Sequence, residues 1–253
     1  MWSQIFSLLL LVASAENGPG KNSLGGVKSL YTEKLQEHLN QVLSEAPKVP
    51  VDAQEIWLEC YKTEGDPLYI GVRQKLVVDS PLKRVAEVVE DIETYKDIFP
   101  GFEKIKIESK ANSRWITYWE QKVPIPFVPN VKYRMIYEIG EAKENSRTYR
   151  YQLLEKSSLT LSDGFIILQA IGADQTLYTE VDFFNAEWGA AKIFGQRRIW
   201  TDAVEGLVLS DLAIKLKSAH PEWDGRKIKK AAEKSLQSKW IKDCVSNQVA
   251  PDF

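Results

Sequence analysis

Side chains able to do chemistry are sparse in this sequence of 253 residues. Its two histidines, His38 and His220, fall on an N-terminal helical pattern and at a helix break before Pro221. A Ser/His/Asp arrangement or a histidine metal site needs an imidazole among the site-forming elements, and neither residue stands there. No cysteine pair has metal-ligand spacing, and no glycine-rich loop follows a strand to cradle phosphate. Among 35 acidic residues, close pairs arise by chance. The expectation is no catalytic residue, no metal and no cofactor.

The polar residues that stand out lie on apolar faces. Arg197 and Asp211 both interrupt the hydrophobic stripe of a long helical segment. A buried guanidinium needs a partner. For Arg197 that partner is a ligand's polar group, a nearby carboxylate, or water reached by snorkelling past the helix edge. Asp163 and Arg73 are weaker candidates of the same kind. The two cysteines, Cys60 and Cys244, either stay free or, in an oxidising compartment, pair and tie an early strand to the C-terminal tail. Closing so long a loop is worth up to about 5 kcal/mol in the chain-entropy model.

Hydrophobic residues make up 44% of the chain, enough for an ordinary core, and the formal net charge of -2 gives no reason to expect nucleic acid as a partner. Residues 1–15 carry no charged side chain, and an apolar run from Ile5 to Val12 precedes Ala13-Ser14-Ala15. That pattern reads as a secretory signal, too short to span a bilayer, and predicts a secreted or periplasmic chain. Residues 16–28 read as a flexible Gly/Asn/Ser tether.

The elements that must position the remaining residues follow from periodicity. Leu35, Leu39, Val42 and Leu43 mark one face of an N-terminal helix ended by Pro47. Glu55–Tyr61 and Leu68–Val78 are strands. Ser80-Pro81 opens a short helix to about Asp91, as an N-cap followed by proline at the first helical position. A second short helix, Glu93–Ile98, stops at Pro100-Gly101. Six strands follow, at Phe102–Ser109, Ser113–Val123, Val131–Ile139, Ser146–Glu155, Ser158–Ile171 and Thr176–Phe184. Tyr133, Met135 and Tyr137 alternate with charged neighbours, as do Tyr149 and Tyr151, so one sheet face must be covered. The cover is a helix from Ala186 to about Lys217, with Ile193, Trp200, Val204, Leu207 and Ile214 on one stripe. One more helix, from about Asp224 to Ile241, carries a basic face.

This order of elements resembles the START lipid-transfer domains, within the helix-grip group that also holds Bet v 1-like and polyketide-cyclase-like proteins. The residues that carry the likeness are Trp57-Leu58 with Tyr61-Lys62, then Val78-Asp79-Ser80-Pro81, Asp91-Ile92-Glu93-Thr94-Tyr95, Phe99-Pro100-Gly101 and Pro124-Ile125-Pro126-Phe127-Val128. The likeness as a whole covers about residues 50 to 217. The resemblance implies an α+β helix-grip fold, a curved antiparallel sheet wrapped around the long C-terminal helix with a hydrophobic cavity between them. It also implies one bound lipid, sterol or similar apolar ligand. A START-like domain is thus expected over residues 29–217, with a basic helix and tail over 218–253.

Strand parity then nominates Trp115, Trp119, Tyr133, Met135, Tyr137, Tyr149, Phe165, Ile167 and Phe183 as ligand-binding residues. Arg197, Trp200 and Leu207 join them from the helix. The same rings would also serve as plain core, filling one another's space. Ile125, Phe127 and Val128 are expected to form a gate loop, and the basic helix a transient membrane contact. Two rival functions stay open: a helix-grip enzyme acting on a hydrophobic precursor, which needs a titratable group inside the cavity, and an interaction module with no ligand.

Overall fold

The computed structural model describes residues 40, 56–61, 70–122, 130–155, 159–186 and 196–249. Among these residues the strands are β1 (Trp57–Tyr61), β2 (Ile70–Val78), β3 (Phe102–Ala111), β4 (Arg114–Gln121), β5 (Val131–Ile139), β6 (Ser146–Leu153), β7 (Leu159–Ala170) and β8 (Thr176–Ala186). They form one antiparallel sheet in the order β1-β2-β8-β7-β6-β5-β4-β3. Between β2 and β3 lie α1 (Leu82–Glu90), a 3-10 turn (Ile92–Thr94) and α2 (Tyr95–Ile98). After β8 come α3 (Gln196–Ala219), α4 (Gly225–Ser235) and α5 (Ser238–Ser246). The predicted helix-grip arrangement is present.

Local chemistry explains most boundaries. Asn112 turns β3 into β4 with a φ of 48°, a left-handed conformation asparagine tolerates. Pro81 does not open α1 as its first helical residue; its ψ of 148° keeps it extended at the N-cap position, and Leu82 begins the helix. The α1 segment then buries Val85, Val88 and Val89. Ala186 belongs to β8, where it pairs with Leu159, and not to the start of the long helix. Within α3, Trp200, Val204, Val208, Ala213 and Ile214 are buried, because the helix is enclosed by the sheet, α1, α4 and α5.

The expected single basic helix is two. The chain becomes extended at Leu236, with φ −64° and ψ 125°. This break lets α4 pack on α2 and α3 while α5 turns towards β1. There Cys244 is bonded to Cys60, 184 residues away, with their Cα atoms 5.1 Å apart. Just beyond, the Val249 N–H donates to the Cys60 carbonyl at 3.0 Å, so the tail covers the β1 edge. The opposite edge, β3, exposes Glu103, Lys104, Lys106, Glu108 and Lys110, charges that discourage pairing with another strand.

Of the N-terminal helix expected over residues 29–46, only Asn40 is described, and it is helical. Residues 1–28 and the gate residues Ile125, Phe127 and Val128 lie outside the described residues. No helix among the described residues is long and apolar enough to cross a membrane.

Candidate functional site

Residues opposed across an antiparallel pair share a sheet face. The register sets Trp119 against Tyr133, Thr117 against Met135, and Tyr137 against both Trp115 and Tyr151. Tyr149 opposes Ile166, which opposes Glu180, and Val72 opposes Asp182. These residues face α3. Between them and the helix lies a cavity of about 180 Å³. Its walls are Tyr95, Phe99 and Phe102 near α2, Trp119, Tyr133, Met135, Tyr137 and Tyr151 from the sheet, and Leu207 and Ile214 from α3. Ser162, Ile166, Tyr178, Glu180, Asp182, Ser210 and Asp211 complete it.

The aromatic wall is self-supporting. Trp119 stacks on Tyr133 with rings 6.2 Å apart and 5° from parallel, and Phe102 meets it edge-on at 5.4 Å. The Trp119 indole N–H donates to Thr117 Oγ1 at 2.8 Å, which frees its ring face for apolar contact. Tyr137 stacks on Tyr151 at 6.4 Å. Tyr151 can lie flat because of Gly164: a Cβ there would stand 2.6 Å from the Tyr151 hydroxyl oxygen.

The other end of the cavity is acidic. Glu180 accepts from the Tyr151 hydroxyl at 2.6 Å, the Tyr178 hydroxyl at 3.1 Å and the Gln74 amide at 3.3 Å. Asp182 leaves its Oδ1 buried with no hydrogen-bond partner. Asp211, 1% exposed, has neither carboxyl oxygen in a well-formed hydrogen bond to a protein N–H, but it lies within side-chain hydrogen-bonding reach of the Glu180 carboxyl and the Tyr178 hydroxyl. Burial, then the Glu180 charge, pushes both Asp182 and Asp211 well above the ordinary carboxylate range. The Tyr137 hydroxyl is also buried and unpartnered, and burial raises its pKa. No cluster of metal-ligand type exists among the described residues.

Five nominated residues therefore line the cavity: Trp119, Tyr133, Met135, Tyr137 and Leu207. Trp115 and Tyr149 face the right way but are core beyond its end. Trp115 stacks 6.2 Å from Tyr137, and the Tyr149 hydroxyl donates to Glu90 of α1 at 3.0 Å. Trp200 is buried on α3 without reaching the cavity. Phe165, Ile167 and Phe183 are on the opposite face of the sheet, since Phe165 opposes Val181 and Ile167 opposes Thr179. Asp163 and Arg73 also belong to that outer face, bonded to Arg150 at 3.2 Å and Glu59 at 2.6 Å. Arg197 lies in α3, but its side chain is outside what the structure describes.

The misplacement has a physical cause. On β8 the outer face holds Leu177, Val181 and Phe183, while the cavity face holds Tyr178, Glu180 and Asp182. A rule of apolar residues inward selects the wrong side there. Asp211, the interruption of the α3 stripe, was the one sequence signal pointing at the acidic end.

This curved antiparallel sheet gripping a long helix matches known structures. Human STARD10 shares 10% identity over 90% of this chain and 94% of its own, with a TM-score of 0.57. The fold is START-like. The lipid transfer and protein localization domain of human StarD13 shares 12% identity over 76% of this chain and 98% of its own, at a TM-score of 0.50. The Zhui aromatase/cyclase from Streptomyces sp. R1128 shares 16% identity over 68% of this chain and 98% of its own, at 0.47. No protein-family model matches the sequence, and no curated protein does.

Proposed function

We propose that this START-like chain binds and carries one hydrophobic small molecule or lipid in the cavity under α3. The observation that carries this reading is the ring-walled space itself, which the described side chains do not fill although close packing is the rule. Its size sets the class. A dry cavity of about 150 Å³ accepts benzene, whereas drug-sized sites run from about 300 to 1,000 Å³. At about 180 Å³ the space fits a ring or a short acyl segment, and a whole sterol or long lipid enters only as the cavity widens. Each methylene moved from water into it contributes about 0.8 kcal/mol. Three added methylenes therefore tighten binding by roughly fiftyfold until the space is filled.

The Cys60–Cys244 bond supports folding in an oxidising compartment, in keeping with a secreted or periplasmic chain. Arg226, Lys227, Lys230, Lys234, Lys239 and Lys242 are exposed on α4 and α5, a basic surface that favours transient contact with anionic lipid. A fluorescent short-chain acyl probe titrated into ligand-stripped protein tests the carrier reading. Saturable one-to-one binding supports it, and the absence of saturable binding to apolar probes of graded length defeats it.

One observation favours a second reading. Burial holds Asp182 and Asp211 well above the ordinary carboxylate range inside a ring-walled cavity, the kind of shift found in groups that donate protons to a bound precursor. If the chain is an enzyme, Asp211→Asn abolishes turnover of a hydrophobic precursor without weakening its binding.

A further inference from the structure

The acidic end of the cavity carries more oxygen than the protein satisfies. Asp182 leaves one buried oxygen without a partner, the two buried oxygens of Asp211 meet only the Glu180 carboxyl and the Tyr178 hydroxyl, and the Tyr137 hydroxyl is unpaired in the same lining. These groups come from three separate elements, α3, β8 and β5, and all look into one space. Glu180 accepts from Tyr151, Tyr178 and Gln74 and lies within hydrogen-bonding reach of Asp211. No lysine, arginine or histidine lines the cavity among the described residues. The described lining thus sets no positive charge opposite these carboxyls.

On the reading that this cavity holds a ligand, we propose that its occupant is a cationic amphiphile, a hydrophobic amine whose ammonium group binds Asp211 and Asp182. The chemistry is selective. An ammonium presents three donors and no acceptor, matching a set of carboxyl oxygens that outnumbers the protein donors around it. Entering as the free amine, the ligand takes the Asp211 proton and leaves an ammonium–carboxylate pair joined by charge-assisted hydrogen bonds, which are stronger and shorter; entering as the ammonium, it displaces that proton to solvent. A neutral alcohol has a single donor and leaves most of these oxygens buried and unmatched. A carboxylate or phosphate brings acceptors to acceptors, and negative charge to carboxyls. The apolar body of the amine lies along Phe99, Phe102 and Trp119, at the aromatic end of the cavity.

Isothermal titration calorimetry of the full chain with decylamine, decanol and decanoate at equal ionic strength tests this. Decylamine is expected to bind at least about tenfold tighter than decanol, with decanoate weakest. Asp211→Asn should bring the decylamine-to-decanol affinity ratio down to about one, and Asp182→Asn should lose part of the preference. Circular dichroism on both variants checks that each is folded. Equal or tighter binding of decanol or decanoate overturns the amine class while leaving the carrier reading in place. An amine preference that survives in both folded variants overturns its assignment to these acids. If none of the three binds, the amine proposal and the carrier reading fall together.

Discussion

Replacing Asp211 by asparagine should change how stability depends on pH. An aspartate in an unfolded chain titrates near 4. In the folded chain burial first, and the Glu180 charge second, hold Asp211 well above that value. The folded state thus keeps a proton that the unfolded state gives up. For an acid whose folded pKa is raised, stability is complete below the unfolded pKa and is lost as pH rises towards the folded one. Each pH unit crossed with one such excess proton costs about 1.4 kcal/mol. Asp182, raised chiefly by burial as well, adds a second proton to the same trend. Urea unfolding of wild type at pH 5, 6 and 7 should therefore show stability falling as pH rises. Asp211→Asn, nearly equal in volume, should reduce that slope by about 1.4 kcal/mol per pH unit, so that its advantage over wild type grows with pH. Parallel pH profiles for the two proteins would refute the claim that Asp211 is buried in its neutral form.

Other perturbations probe the frame around the cavity. Cys244→Ser removes the clamp between β1 and α5; the 184-residue separation puts the loss at up to about 5 kcal/mol, read by urea unfolding without reductant. An unchanged midpoint would show that the bond does not constrain the chain. Gly164→Ala places a methyl 2.6 Å from the Tyr151 hydroxyl oxygen and 2.5 Å from the Val181 carbonyl. It should cost about 1–3 kcal/mol in thermal unfolding and weaken ligand binding, because Tyr151 can no longer lie flat beside Glu180. Ile166→Ala enlarges the cavity from the sheet side, lowering stability by about 2–5 kcal/mol while extending the longest acyl probe that binds.

The architecture was legible because its signals are local and strong. Alternation along Val131–Ile139 set the face of β5, the asparagine at position 112 marked a hairpin, and the stripe through Val204 and Ile214 announced the covering helix. The cavity was legible where a strand has one wet face, as at Trp119, Tyr133 and Met135. It was illegible on β7 and β8, which are buried on both faces, so that periodicity carries no direction. On β8 the apolar face turned outward and the carboxylates inward. The break at Leu236 was hidden too, since α4 and α5 continue one apolar spacing and only the need to bring Cys244 to β1 separates them.

The claim that the space under α3 is a binding site is tested most directly by native mass spectrometry of the full chain mixed with short-chain apolar probes. Wild type should gain a single bound molecule per chain, and Leu207→Trp, which fills the cavity from the helix side, should gain none while remaining folded. Equal uptake by the filled variant, or no uptake by wild type, would contradict the account.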